Sequence, residues 1–144
     1  MFLFLDDERK PSQVKWGVNE VGEFGLVEFP SIHWDGIVRN YDEFVKWVDT
    51  HGVPTWVSFD HDLADEHYRK SMYNPDKHYS EYYTDGTFKE KTGKECADYL
   101  IYYCIEHRCK LPERIFVHSM NPIGRENIQA AFNSAKKAYE FLRL

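Results

Sequence analysis

Three short apolar segments of this chain each end in a group of acidic or histidine residues. Phe2 to Leu5 is followed by Asp6-Asp7-Glu8-Arg9, Trp56 to Phe59 by Asp60-His61-Asp62, and Ile115 to Val117 by His118-Ser119-Met120-Asn121. In open α/β sheets, ligands bind beyond the carboxyl ends of the parallel strands. The pattern therefore predicts one sheet edge at which polar side chains from several strands meet.

Helical patterns alternate with these segments. Asn40 can cap a helix with Glu43 in the capping-box position, and Gly52 ends that helix. Two more helices show apolar residues at helical spacing, one centred on Leu100 and one on Phe132. With a further strand in Trp34 to Arg39, this order predicts βαβ crossovers. We predict one α/β domain over residues 1–144, a flavodoxin-like or receiver-like three-layer sandwich with a mostly parallel sheet of about four strands.

Two stretches show no clear periodicity in their apolar residues. Residues 10–36 are predicted as loop or irregular strand, with breaks at Pro11, Gly17, Gly22, Gly25 and Pro30. An insert of about residues 64–94 is polar and rich in tyrosine. Its length indicates a lid or a disordered insert, and its interleaved aromatic and basic side chains could also stack on a base.

Composition excludes several classes of protein. A net charge of −6 argues against a basic surface for duplex DNA or RNA. The three cysteines lack metal-binding spacing and suit a reducing compartment. The initial apolar run is too short for a signal peptide, and no apolar run approaches the ~18 residues that span a bilayer. We expect a cytoplasmic protein with no membrane partner.

The acidic residues after the first and third predicted strands suggest a metal site. Asp6, Asp7 and Asp60 would repel one another, and a hard divalent cation relieves that repulsion. Lone acids at such positions usually cap helices or are solvated, but paired acids directly after apolar strands favour a site. We expect Mg²⁺, or Mn²⁺, as the cofactor.

Two histidines are candidate proton-transfer groups. His61 lies between two acids and His118 follows the fourth predicted strand, so either could act as acid or base, with Asp62 orienting. Both could equally be buried, hydrogen-bonded structural residues. Because side chains alternate along a strand, His61 and Asp60 should point to opposite faces unless the strand has ended.

Several residues are candidate phosphate contacts. The segment from Ser119 to Asn127 joins a strand to a helix N-terminus, which attracts anions. The same composition fits an ordinary turn and cap. The candidates for binding the substrate phosphate are Arg9, Arg39, Ser119, Asn121 and Arg125.

Together these motifs resemble the cyclic-phosphate-processing receiver-like domains of the receiver superfamily. The matching segments are Leu5 to Pro11, Val38 to Tyr41, Ser58 to Leu63, Thr92-Gly93 and His118 to Ile128. The resemblance implies that Asp6 and Asp7 are the receiver acidic pair, Asp60 the phosphoacceptor position and Ser119 the receiver hydroxyl. A receiver's fifth strand and its lysine are not evident, and His61, Asp62 and His118 are not receiver features. These departures favour an enzymatic variant over phosphorelay signalling.

The first functional hypothesis is therefore a metal-dependent phosphoesterase acting on cyclic phosphate ends of RNA or on small nucleotides. In it Asp6, Asp7 and Asp60 hold the metal, or Asp60 is the nucleophile. The alternative is a non-catalytic receiver-like module that binds a nucleotide or a protein partner. A Toprim-like metal site built on Asp60 and Asp62 is a third possibility, which strand order distinguishes.

Overall fold

A computed structural model describes residues 1–18, 23–26, 34–64 and 91–142. Its strands are β1 (Phe2–Leu5), β2 (Trp16–Val18), β3 (Phe24–Leu26), β4 (Gly36–Val38), β5 (Trp56–Phe59) and β6 (Arg114–Val117). Its helices are α1 (Tyr41–His51), α2 (Gly93–Glu106) and α3 (Pro122–Leu142), with a short 3-10 helix at Pro11–Gln13.

The strands form a single sheet in the order β3-β2-β6-β5-β1-β4. Neighbours within β4-β1-β5-β6 are parallel. Taken in chain order, these four strands run 2-1-3-4, which is the flavodoxin-like arrangement without its fifth strand. The predicted receiver-like α/β fold with a mostly parallel sheet is confirmed.

The segment predicted as loop or irregular strand, residues 10–36, contains two short strands. It contributes β2 and β3, which pair with each other in antiparallel fashion, and β2 also pairs antiparallel with β6. The described sheet therefore has six strands, of which four form the predicted parallel part and two are antiparallel additions. In the 2-1-3-4-5 order, the fifth strand lies beside the fourth. Here β2 lies in that position with the opposite direction.

Local sequence signals set the ends of the helices as predicted. Asn40 caps α1 by accepting a hydrogen bond from the Glu43 N–H at 2.8 Å, and Gly52 ends the helix with φ 84°. Helix α2 begins at Gly93 after Thr92, whose N–H donates to Glu95 Oε2 at 2.9 Å. The insert predicted for residues 64–94 therefore ends before Gly93, and residues 65–90 lie outside the described part of the chain.

The three helices pack side by side on one face of the sheet. Alternate strand residues such as Leu3, Leu5, Val57 and Phe59 join them in one apolar core. No described helix is long and apolar enough to cross a membrane.

The opposite face carries Phe4, Ser58 and Phe116, all buried. The Trp34 ring packs edge-on against Phe4, with centroids 5.6 Å apart. None of the three described α-helices lies on this face, so the described residues provide no α-helical third layer for the predicted sandwich.

Candidate functional site

The register of the sheet brings three polar side chains into one row. The last residues of β1, β5 and β6 lie side by side. The next residues along these strands, Asp6, Asp60 and His118, extend the ladder, because the N–H of Asp60 donates to Leu5 and that of His118 to Phe59, each at 2.9 Å. Alternation then turns all three side chains to the face opposite the helices.

The result is a buried cluster of two carboxylates and an imidazole. One ligand atom from each of Asp6, Asp60 and His118 lies within 4.8 Å of the others. The three residues are at most 2 % exposed. Such a group could hold a metal ion, because carboxylate and imidazole are both metal ligands and share a small volume here.

Asp6 is held in its ionised form by its hydrogen bonds. Oδ1 accepts from the N–H groups of Glu8 and Arg9 at 2.9 and 2.7 Å, and Oδ2 accepts from Arg9 Nε at 2.8 Å. Burial alone would raise the pKa of Asp6, but hydrogen bonds from His118 and from these backbone groups lower it to about 2. A carboxylate fixed in this way is a ready ligand for a cation.

His118 is a buried imidazole held at both nitrogens. Nδ1 lies 2.6 Å from Ser58 Oγ, and Nε2 lies 3.1 Å from Asp6 Oδ2. Its ring stacks on Phe4 with centroids 4.6 Å apart. Burial lowers the pKa of His118, although the bond to Asp6 acts in the opposite direction. Since a hydroxyl both donates and accepts, Ser58 is compatible with either tautomer of the neutral ring.

Asp60 is the least satisfied member of the row. Its Oδ2 is buried and has no hydrogen-bond partner among the described residues. Arg9 Nη2 lies 3.7 Å from this oxygen. Burial raises the pKa of Asp60 well above its usual value, and the charge of Asp6 acts in the same direction. A buried, unsatisfied carboxylate oxygen beside a second carboxylate is what a bound cation would relieve.

Two arginines arrange the loop after β1. The Arg9 side chain is 33 % exposed and contacts both carboxylates of the cluster. Arg39 Nη1 donates to the backbone carbonyls of Asp6 and Arg9 at 2.9 and 2.7 Å. Arg9 therefore lies at the mouth of the cluster, whereas Arg39 ties down the backbone that carries Asp6.

The other predicted catalytic residues form a separate network on the helical face. His61 Nδ1 lies 2.8 Å from Asp62 Oδ1, which also accepts from Asn121 Nδ2 at 3.2 Å. A Cβ atom at Gly124 would lie 2.3 Å from the His61 ring, so α3 packs directly against that ring. The structure therefore brings His61 and Asp62 together with Asn121 on this face, and the charge of Asp62 also contributes to raising the pKa of Asp60.

The loop between β6 and α3 has the geometry of a helix cap. Asn121 Oδ1 accepts from the Gly124 N–H at 3.0 Å, and the Asn121 N–H donates to Ser119 Oγ at 3.2 Å. Arg125 Nη1 donates to the Ser119 carbonyl at 3.2 Å. Ser119 is fully buried and Arg125 is half-buried. Arg125 thus lies beside the edge on which the acidic row ends.

The metal set predicted from the sequence differs from the observed cluster in one residue. Asp7 is half-buried and is not in the cluster, although its charge contributes to raising the Asp60 pKa. His118 takes the third position, having been predicted as acid or base. The sequence contains a signal for this grouping, because Asp6, Asp60 and His118 are each the first residue after an apolar segment.

The fold and the acidic edge define a receiver-like α/β domain with an added histidine. Comparison with protein families gives a match over residues 1–134 to the family described as the cyclic-phosphate processing receiver domain. The chain belongs to this family. Comparisons with curated proteins and with solved structures found no match.

Proposed function

We propose that this protein is a divalent-metal-dependent phosphoesterase that opens cyclic phosphates on RNA ends or small nucleotides. The observation that supports it most is the row of Asp6, Asp60 and His118, with a buried Asp60 oxygen that has no hydrogen-bond partner among the described residues. The family's description supports the substrate class.

The proposed metal ligands are the carboxylates of Asp6 and Asp60 and the Nε2 atom of His118. Two carboxylates beside one neutral imidazole favour Mn²⁺ over Mg²⁺, because Mg²⁺ prefers oxygen ligands alone. For His118 to be a ligand, Nδ1 must carry the ring proton and donate it to Ser58 Oγ, which lies 2.6 Å away. Asp7 is kept as an outer acidic group near Asp60.

The proposed reaction is hydrolysis. Water adds to phosphorus, one of the two ribose P–O bonds breaks, and the released ribose oxygen takes up a proton, which leaves a phosphomonoester. A divalent cation, when bound, supplies Lewis-acid polarisation of the phosphoryl oxygens. Arg9 contributes a second positive charge at the mouth of the cluster. Its guanidinium can turn from Asp6 to a phosphoryl oxygen once Asp6 has another partner.

We propose that the His61-Asp62-Asn121 network positions the loop after β6 rather than exchanging protons with substrate. Its side chains lie on the helical face of the sheet, and the His61 ring is fully buried against α3. Holding Asn121 fixes the start of α3 and hence the places of Ser119 and Arg125. Arg39 positions the end of the first strand in the same way, because it donates a hydrogen bond to the backbone carbonyl of Asp6.

The test is the conversion of a nucleoside 2′,3′-cyclic phosphate to its monophosphate, followed by ³¹P NMR with added Mn²⁺ or Mg²⁺. Asp60→Asn should lower the rate at least 100-fold, because it removes a ligand charge. Asp98→Asn makes the same chemical change at an exposed residue that forms a surface ion pair with Lys94, and should leave the rate unchanged. Calorimetry of metal binding accompanies the assay. Wild-type protein that binds the metal but leaves the cyclic phosphate intact would favour the non-catalytic module.

A further inference from the structure

Two of the three cysteines lie at the far end of α2, away from the candidate site. Helix α2 begins at Gly93, whose N–H donates to the carbonyl of His61 at 2.8 Å, beside that site. Its 14 residues give it a length of about 21 Å. Cys104 lies in its last turn, Cys109 follows shortly after it, and both carry thiols. This pair is therefore separate from the chemistry proposed above.

The backbone after α2 forms a Schellman motif in which the two cysteines occupy paired positions. The Cys109 N–H donates to the Cys104 carbonyl at 2.9 Å, and the Arg108 N–H donates to the Ile105 carbonyl at 3.2 Å. Arg108 has φ 52°, the left-handed conformation that this motif places just after the helix. The side chains of the two outer residues of the motif commonly touch. The turn therefore brings two thiol-bearing side chains to the same place.

Further contacts agree with this proximity. The Cys104 thiol donates to the carbonyl of Lys110, the residue after Cys109, at 3.8 Å. The Tyr139 hydroxyl donates to the Cys109 carbonyl at 2.7 Å and so holds the turn against α3. A disulfide usually joins Cα atoms about 4.4–6.8 Å apart, and two residues linked by a backbone hydrogen bond lie close to that separation. The backbone spacing of the pair therefore suits a disulfide.

The two thiols differ in their access to solvent. Cys104 is fully buried, and burial raises its pKa to about 12, although a hydrogen bond with Tyr139 acts in the opposite direction. Cys109 is partly exposed, and its neighbours Arg108 and Lys110 are exposed cations. Such cations attract an anionic molecule, for example glutathione disulfide. Cys109 is therefore the thiol that a molecule in solution can reach.

We propose that Cys104 and Cys109 are a redox-active pair that low-molecular-weight disulfides convert to an intramolecular disulfide. The Cys109 thiolate attacks one sulfur of glutathione disulfide, and one glutathione leaves and takes up a proton. The Cys104 thiol then loses its proton and attacks the Cys109 sulfur of the mixed disulfide, which releases the second glutathione. The pair loses two electrons and two protons in total, and these reduce one glutathione disulfide to two thiols. The proposal does not depend on the phosphoesterase activity.

The bond can be mapped in the wild-type protein. Folded protein is incubated with glutathione disulfide, its remaining thiols are alkylated, and it is then unfolded and digested with trypsin. Cleavage after Arg108 and Lys110 separates the two cysteines, so an oxidised pair appears in mass spectra as the peptide ending at Arg108 joined to Cys109-Lys110. We expect this species to be the main product, with a loss of two hydrogen atoms from the intact protein. An excess of reduced glutathione should reverse it.

Three substitutions assign the bond to its residues. Cys104→Ser should stop at the mixed disulfide and gain one glutathione at Cys109. Cys109→Ser should stay unmodified, because the thiols that remain are buried. Cys96→Ser makes the same chemical change at another buried cysteine of α2 and should behave as wild type. Circular dichroism verifies that each variant is folded.

The unfolded chain in concentrated urea is the control for closeness in sequence alone. Because the turn orients the thiols, the ratio of intramolecular to mixed disulfide should fall about 10-fold or more on unfolding. An equal ratio in folded and unfolded protein would overturn the proposal. So would wild-type protein that stays reduced, that stops with one glutathione at Cys109, or that forms its disulfide through Cys96.

Discussion

Asp6 and Asp60 are neighbouring buried carboxylates, and among the described residues Arg9 is the arginine or lysine that contacts both. Asp6 gains three hydrogen bonds from the loop after β1, whereas Asp60 Oδ2 gains none from the described residues. An ionised group buried under these conditions lowers the stability of the fold. Functional sites often retain such destabilising groups, because ligand binding relieves the destabilisation.

Asp60→Asn is therefore expected to stabilise the metal-free protein. Because burial and the Asp6 charge raise the pKa of Asp60 in the fold, this carboxyl lowers stability at every pH above the usual Asp pKa, and Asn does not. In EDTA at neutral pH the free energy of unfolding should therefore rise by about 1 kcal/mol, or roughly 3–5 °C in melting temperature. Added Mn²⁺ should raise the melting temperature of wild type but not of the variant. Thermal denaturation with and without EDTA measures both effects. A variant less stable than wild type in EDTA would contradict this reading of Asp60.

Arg9 and a bound cation compete for the same oxygen, Asp6 Oδ2. Arg9→Met should raise Mn²⁺ affinity about 10-fold or more, because a unit charge about 4 Å away repels a divalent ion by about 2 kcal/mol even at the dielectric constant of water. The same variant should lose turnover, since the phosphate loses a donor. Arg9→Lys is the control, because it keeps the charge and should bind Mn²⁺ as wild type does. Unchanged affinity in Arg9→Met, measured by calorimetry, would place the cation elsewhere.

At the residue scale, the sequence indicates which side chains belong to the candidate site. It indicates less well which of these side chains lie close to one another. Asp6, Asp60 and His118 were all candidates, and alternation correctly separated Asp60 from His61. The row itself depends on the register between three strands. Register is set by packing and by hydrogen bonds between segments far apart in the chain, so a single sequence does not specify it. The sequence pattern therefore predicts Asp7 as the third metal ligand, because neighbouring carboxylates suit a hard cation, whereas the register brings His118 into that position.

At the element scale, β2 is the strand that distinguishes this sheet from the sheet of a receiver. It runs antiparallel beside β6, in the position of the fifth parallel strand. Helix caps and the strands at the acidic edge were predictable because their signals are local, as Asn40 and Glu43 illustrate. Strands β2 and β3 were not, since each has three residues with a central glycine and their pairing is decided by distant partners.

Gly17→Ala should separate β2 from β6. A Cβ atom at this position would lie 2.6 Å from the carbonyl oxygen of Val117, a backbone atom that cannot move aside as a side chain can. We expect a loss of about 1–3 kcal/mol in the free energy of unfolding, measured by urea denaturation. Gly25→Ala is the matched control in the paired strand, where a Cβ would meet nothing within 4 Å. Equal stability of the two variants would show that β2 does not pack on β6 in this way.

At the scale of the whole molecule, charge and fold together limit how a nucleic acid can bind. The alternation of strands and helices was sufficient to predict the parallel sheet, because right-handed crossovers leave few other arrangements. Because the net charge is −6, the positive charge near the site comes from a few side chains such as Arg9 and Arg125. Such a protein can hold the end of a strand, but has little means of following a backbone.

Affinity should therefore depend on the end of an RNA and not on its length. A dinucleotide and a 20-mer that carry the same 2′,3′-cyclic phosphate should have Kd values within about 3-fold of each other. With about two phosphates neutralised at a slope of roughly 0.7 each, a fourfold rise in salt should weaken binding only about 7-fold. Fluorescence anisotropy with metal omitted measures both, and the same 20-mer ending in a 3′-hydroxyl is the control for end recognition. A Kd that falls steadily with length, together with a steep salt dependence, would point to a backbone-binding surface and contradict recognition of the cyclic end.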